Sequence, residues 1–189
     1  MKIGILALQG AFAEHEKVLY KLGIKWHEIR NKEDLSVEID GIILPGGEST
    51  VMGKLLKELD LFDEIKRKIQ NGLPVLATCA GAILLAKEIE ESKVSYFGTI
   101  PMKIRRNAYG RQLGSFMAKE KVEGIGIYPM HFIRAPYIVS ADPAVRILSI
   151  VNDRIVGVEF ANQLAFSFHP ELTEDERIHL YFLNKCGTA

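Results

Sequence analysis

The sequence has few cysteines, one tryptophan and no net charge. Its 189 residues hold two cysteines, and 24 lysine and arginine side chains are balanced by 24 aspartates and glutamates. Two cysteines cannot staple a fold, so stability must come from an apolar core, and a reduced, cytoplasmic setting is expected. Zero net charge argues against binding nucleic acid or an anionic membrane through bulk charge. The apolar start Met1-Lys2-Ile3-Gly4-Ile5-Leu6-Ala7-Leu8 is far too short to span a bilayer. It has no small-residue cleavage site after a longer apolar run, so no signal peptide is expected. No internal repeat, low-complexity tract or linker divides the chain, and we expect one domain over residues 1–189.

What is present is a hydrophobic fraction of 48%, enough at this length for a sizeable core. Ile3 to Leu8, Ile42 to Leu44 and Pro74 to Ala77 are continuous apolar runs, the pattern of strands buried on both faces. Between them, Phe12, His15, Leu19 and Leu22 recur at helical spacing with Gly23 as a stop. Leu55, Leu56 and Leu59, then Phe62, Ile65 and Ile69, mark further helical faces. This alternation predicts an α/β fold with an open, mostly parallel sheet and helices on both faces. From about Val94 to Val139 the helical period fades, and Gly98, Pro101, Gly110, Gly114, Gly124, Gly126, Pro129 and Pro136 punctuate short β-like pieces. Asn152-Asp153 between two later strands predicts a hairpin. Thr173 and Glu176 have the spacing of a capping box for a C-terminal helix.

The chemistry gathers at Cys79. It follows an apolar strand and precedes the small, apolar stretch Ala80 to Ala86, the setting of a nucleophile elbow at a sharp strand-to-helix turn. Gly81 is expected to let a neighbouring backbone come close. A thiol at a helix N-terminus favours thiolate, although a cysteine can equally be a small buried hydrophobe. His169 ends the apolar run Leu164 to Phe168, where sites gather in open α/β sheets. Pro170 fixes the backbone, and Glu171, two residues on in an extended segment, is placed to hold the His169 ring. Pro45-Gly46-Gly47-Glu48-Ser49 follows a strand; its glycines can turn N–H groups toward an oxyanion, or it is a plain turn capped by Ser49. The spacing of a phosphate-binding P-loop is absent.

Together, Thr78-Cys79-Ala80-Gly81, Pro45-Gly46-Gly47-Glu48-Ser49-Thr50 and His169-Pro170-Glu171 resemble the class I, triad-type glutamine amidotransferases. Leu8-Gln9-Gly10, Arg106-Asn107 with Gly110-Arg111-Gln112, Phe132-Ile133-Arg134-Ala135-Pro136, and Ser167 to Thr173 are similar to the glutaminase subunits of pyridoxal 5′-phosphate synthases. The resemblance covers nearly the whole chain and implies a flavodoxin-like three-layer sheet fold. It implies Cys79 as nucleophile, His169 as base, Glu171 as its orienter, and oxyanion N–H groups at Gly47 and Ala80. L-Glutamine would be met by Gly46, Gly47, Glu48, Arg106, Ile133 and Arg134; Arg105 adjoins Arg106 and could exchange roles with it. A guanidinium fork suits a carboxylate. No cofactor and no metal are implied. The implied partner is a (β/α)-barrel synthase subunit that takes the ammonia, with no role for nucleic acid or membrane.

Three other readings share these residues. One is a glutaminase for another acceptor, of the histidine, anthranilate or carbamoyl phosphate type. Another is a stand-alone cysteine peptidase or esterase, and the third a non-catalytic subunit with Cys79 inert. His131 has no implied role.

Overall fold

The apolar runs become neighbours in one sheet. In a computed structural model that describes residues 1–107 and 114–187, the elements run β1 (Lys2–Leu6), α1 (Phe12–Lys21), β2 (Lys25–Ile29), β3 (Gly41–Leu44), α2 (Ser49–Glu58), α3 (Phe62–Gln70), β4 (Val75–Thr78), α4 (Ala80–Leu85), β5 (Ala86–Ile89) and β6 (Ile100–Arg105). They continue as β7 (Ser115–Val122), β8 (Gly126–Ile133), β9 (Tyr137–Ala141), β10 (Arg146–Val151), β11 (Arg154–Phe160), β12 (Gln163–Phe166) and α5 (Arg177–Cys186). Among the described residues, β2-β1-β3-β4-β12 form an all-parallel half sheet. Beyond β12 the sheet turns mixed, through β11, β9, β6 and β5, with β10 also on β11. The stretch of glycines and prolines supplies β6 to β9, of which β7 and β8 form a separate antiparallel ribbon.

Side-chain alternation along the strands divides the core in two. Leu6, Ile42, Leu44, Val75, Ala77 and Ala165 face α2, α3 and α4. Ile3, Ile5, Ile43, Leu76, Leu164 and Phe166 face α1, α5 and the ribbon residues Tyr128, Met130 and Phe132. Both faces are therefore covered, which is why these strands read as unbroken apolar runs. Asn152 and Asp153 both take positive φ, 49° and 58°, and turn β10 into its antiparallel partner β11.

The expected capping box is not formed. Thr173 Oγ1 instead donates to the Pro170 carbonyl at 2.9 Å and accepts from the Asp175 N–H at 3.2 Å. The helix starts later, at Arg177, whose N–H is taken by Asp175 Oδ1 at 3.2 Å. Thr173 is consumed in closing the turn that carries Glu171.

At Gly81 the expected close approach is present: a Cβ there would lie 2.0 Å from the Leu44 carbonyl oxygen at the end of β3. Gly81→Ala is therefore expected to force β3 and α4 apart and to lose about 1–3 kcal/mol, as overpacking does. A urea-unfolding midpoint equal to that of the parent chain would refute this.

Candidate active site

Cys79 sits in a conformation that L-residues avoid, φ 47° and ψ −102°, between β4 and α4. Strain of this kind costs about 1–3 kcal/mol and persists only where neighbours enforce it. Here the Cys79 N–H donates to the Phe166 carbonyl of β12 at 2.8 Å, and its carbonyl accepts from Ile83 at 3.3 Å. The expected elbow is thus formed, with the thiol at the floor of a cavity of about 310 Å³. Its Sγ lies 3.9 Å from the Ile133 carbonyl.

His169 reaches this cavity from the end of β12. Its N–H is held by the His131 carbonyl of β8 at 2.9 Å, which gives His131 a place through its backbone. His169 Nδ1 meets Glu171 Oε1 at 2.7 Å. The pairing is as expected, but its geometry is not: Pro170–Leu172 is a 3₁₀ turn rather than an extended segment. The turn folds the Glu171 side chain back beneath the imidazole. Burial opposes a charge on His169, yet its hydrogen bonds to Cys79 and Glu171, and their charge, push it up to about 10. Burial likewise opposes the Glu171 carboxylate, and the imidazoles of His15 and His169 hold it below its usual range. Of these two imidazoles His169 carries the counter-charge, because burial drives His15 toward its neutral form.

The facing wall is the loop after β3. A Cβ on Gly46 would fall 2.3 Å from His169 Cε1, so this position has room only for hydrogen. The Gly46 carbonyl accepts from the Ala11 N–H at 2.9 Å, and the Glu48 N–H donates to Gln9 Oε1 at 2.7 Å. Gly47 lies between these two tethers and lines the cavity. Ser49 is not the cap of α2. The Glu48 carboxylate is, accepting from Thr50 and Val51 N–H at 3.1 and 2.8 Å. Burial opposes its charge, but those N–H groups hold it low.

Arg106, Ile133 and Arg134 line the opposite rim, and Arg106 donates to Thr50 Oγ1 at 3.1 Å. Arg105 points elsewhere, paired with Glu90 and stacked over Tyr137. Among the described residues, three of the eight non-glycine residues with positive φ, Cys79, Asn107 and Arg134, line the cavity. Ala80 is buried directly after Cys79, at the first position of α4. Gly110, Arg111 and Gln112 lie outside the described residues.

A thiol, an imidazole and a carboxylate therefore meet beside a Gly-rich loop and two guanidinium groups. That set can perform acyl transfer through a thioester. Among the described residues no group of three or more His, Cys, Asp or Glu is arranged to hold a metal. Gln9, Ala11 and Asn107 also line the cavity, and sequence reasoning did not place them there. Nor did it find His15 and His179, fully buried behind Glu171. The available signal was a histidine in the apolar stripe of each of two helices, because a buried polar side chain must have a partner.

The sequence matches the SNO glutamine amidotransferase family over residues 5–188. It is 56% identical over 187 residues to a "Pyridoxal 5'-phosphate synthase subunit PdxT" of Desulfitobacterium hafniense, covering 99% of this chain and 94% of that one. It is also 56% identical over 189 residues to the protein of the same name from Streptococcus pneumoniae serotype 2, covering 98% of each. A solved structure described as a glutamine amidotransferase superposes with a TM-score of 0.93 at 45% identity, covering 98% of this chain and 99% of that one. With the fold, the elbow and the His169–Glu171 pair in place, these likenesses establish that the chain belongs to the SNO glutamine amidotransferase family.

Proposed function

We propose that this chain, acting as one amidotransferase domain over residues 1–189, hydrolyses L-glutamine to L-glutamate and ammonia. The ammonia passes to a synthase subunit that makes pyridoxal 5′-phosphate, as the names of its relatives suggest for them. The observation that carries the reading is the strained Cys79 elbow within hydrogen-bonding reach of His169, itself fixed by Glu171.

In this mechanism the Cys79 thiolate attacks the side-chain amide carbon of glutamine. The oxyanion that forms is held by the N–H groups of Gly47 and Ala80. His169, which took the thiol proton, returns it to the leaving nitrogen, and ammonia departs from a γ-glutamyl thioester. His169 then draws a proton from water, hydroxide adds to the thioester, and its collapse releases glutamate and the thiolate. Glutamine and water enter; glutamate and ammonia leave. Arg106 and Arg134, at the rim, receive the substrate carboxylate, and Gly46, Glu48 and Ile133 shape the rest of its seat. The proposed partner is a (β/α)-barrel protein, with no part played by nucleic acid or membrane and with a cytoplasmic setting. Among the described residues no helix is long and apolar enough to cross a membrane.

A glutamine analogue with an electrophile at the side-chain carbon is expected to label Cys79 and spare Cys186. Burial pushes the Cys186 thiol up to about 12, and it packs against Gly41. Peptide mass mapping decides the matter; label on Cys186 alone would refute the assignment of the nucleophile.

Arg106→Ala is expected to raise the KM for glutamine by roughly 10–100-fold, the size of a hydrogen bond to a charged group. Its kcat should change far less. An unchanged KM would move the carboxylate seat away from Arg106.

The third expectation concerns the partner. In a planar peptide the Gly47 N–H points opposite to the Gly46 carbonyl, so the Ala11 contact sets which group serves the oxyanion. Residues 9–11 precede α1, and a subunit docking there would fix the peptide. The Ala11 contact is already formed in the single chain. Gating requires it to loosen in solution until a subunit docks, and on that reading steady-state glutamate release is expected to be low for the isolated chain. Saturating synthase subunit should raise kcat by up to about 10²–10³-fold, the worth of one oxyanion donor. Equal kcat in both conditions would favour a stand-alone hydrolase.

A further inference from the structure

Glu171 has one oxygen accounted for and one that is not. Its Oε1 accepts from His169 at 2.7 Å and from the Thr78 hydroxyl at 3.4 Å. Its Oε2 is buried and has no conventional hydrogen bond among the described residues. His15 Nε2 of α1 lies 3.5 Å from it. That same nitrogen lies 3.3 Å from Thr78 Oγ1. On the other side of the ring, His15 Nδ1 meets His179 Nε2 of α5 at 3.0 Å. Both imidazoles are fully buried, and neither lines the cavity.

One proton arrangement suits this chain of groups better than the other, although among the described residues His179 Nδ1 has no partner in either. If His15 carried its proton on Nδ1, the bare Nε2 would face a carboxylate oxygen, lone pair against lone pair. His179 would then hold its own proton on Nδ1, a buried donor with no partner. With the proton on Nε2, His15 donates to Thr78 Oγ1 and turns the positive edge of its N–H toward Glu171 Oε2, 3.5 Å away, while Thr78 donates onward to Glu171 Oε1. His15 Nδ1 then accepts from His179 Nε2–H. We propose that His15 and His179 are positioning residues for the triad: His179 fixes the tautomer of His15, and the neutral His15 Nε2–H steadies the charged, correctly oriented Glu171 carboxylate behind His169.

Neutrality matters to this role. The titratable groups facing His15 are Glu14 on its own helix, Glu171 and His169 beyond β12, and His179 on α5. Burial, and the positive His169, keep His15 uncharged; burial and His15 push His179 down to about 3. A charged His15 would share the carboxylate and weaken its hold on His169. A neutral donor instead supports the negative charge without cancelling it, as hydrogen bonds to metal-ligating carboxylates do.

The inference rests on the Cys79–His169–Glu171 reading, and its test has two arms. In long-range proton–nitrogen NMR of the unmodified, histidine-labelled chain, His15 is expected as the neutral Nε2–H tautomer across neutral pH. An imidazolium, or the Nδ1–H tautomer, would overturn the proposal. This arm involves no substrate, so it stands or fails apart from the glutaminase reading. A parent chain that never turns over glutamine would count against that reading instead. The second arm is kinetic, with the synthase subunit present. His15→Leu removes the donor, so the Glu171 carboxylate becomes harder to keep charged. It would protonate at higher pH, and activity that needs the carboxylate would be lost sooner as pH falls. The expected result is a kcat lower by roughly 10–100-fold, an acid limb of kcat/KM moved to higher pH, and an unchanged KM. His15→Gln, whose amide N–H can reach the same oxygen, should restore most of both. Equal losses in the two variants, or a parental acid limb in His15→Leu, would reduce His15 to packing. If His15→Leu does not fold, the tautomer measurement and the profile of His15→Gln still decide.

Discussion

The parallel pairing of β4 with β12 governs everything at the site. Thr78 stands opposite Phe166 in that register, so the chain leaves both strands at the same end of the sheet. One residue later on one strand comes Cys79; three residues later on the other comes His169. The Phe166 carbonyl is also the acceptor that pins the Cys79 N–H. A single strand pair therefore sets both the distance between Cys79 and His169 and the strained backbone of Cys79. Slipping the register by one residue would turn Leu164 and Phe166 to the wrong core and separate Cys79 from His169 at once. The apolar layers on each face make such a slip costly, and in this way ordinary core packing protects the chemistry.

The rest of the site is arranged in shells around that pair. The ribbon contributes the His131 carbonyl that anchors the His169 backbone, and the same strand, β8, ends at Ile133, with Arg134 next on the rim. The loop after β3 supplies the glycine wall, and the segment before α1 tethers it at Gly46 and Glu48. Base, loop and rim are thus carried by elements that are far apart in sequence and each tied by a backbone hydrogen bond.

Much of this was legible in the residues. Strands covered on both faces announce themselves as unbroken apolar runs, so β1, β3, β4 and β12 could be read directly, and a Cys or His at the end of such a run stands at the active edge of the sheet. Asn152-Asp153 could be read because few residues tolerate positive φ. Where reading failed, one local signal competed with a tertiary demand. Thr173 has the spacing of a helix cap, but the turn that lifts Glu171 under His169 takes its hydroxyl first. Ser49 is the better cap by residue type, yet Glu48 sits one position earlier and its longer side chain captures the N–H groups. His15 and His179 escaped notice because each occupies a regular place in a helical stripe; what distinguishes them is contact with each other across 164 residues, which no local window contains.

Gly46 invites a different view of glycine at active sites. The usual reading is a hinge, a residue chosen because its backbone can move. Here the missing side chain is a socket, and the His169 ring fills it: any Cβ would lie inside the imidazole. Loop and base are therefore in direct contact, like two gears with one tooth removed to let them mesh. The loop cannot advance into the cavity without pushing the ring, and the ring cannot swing toward the loop at all. The place of the Gly46 loop and the place of the His169 ring become a single mechanical state, assembled or dispersed together.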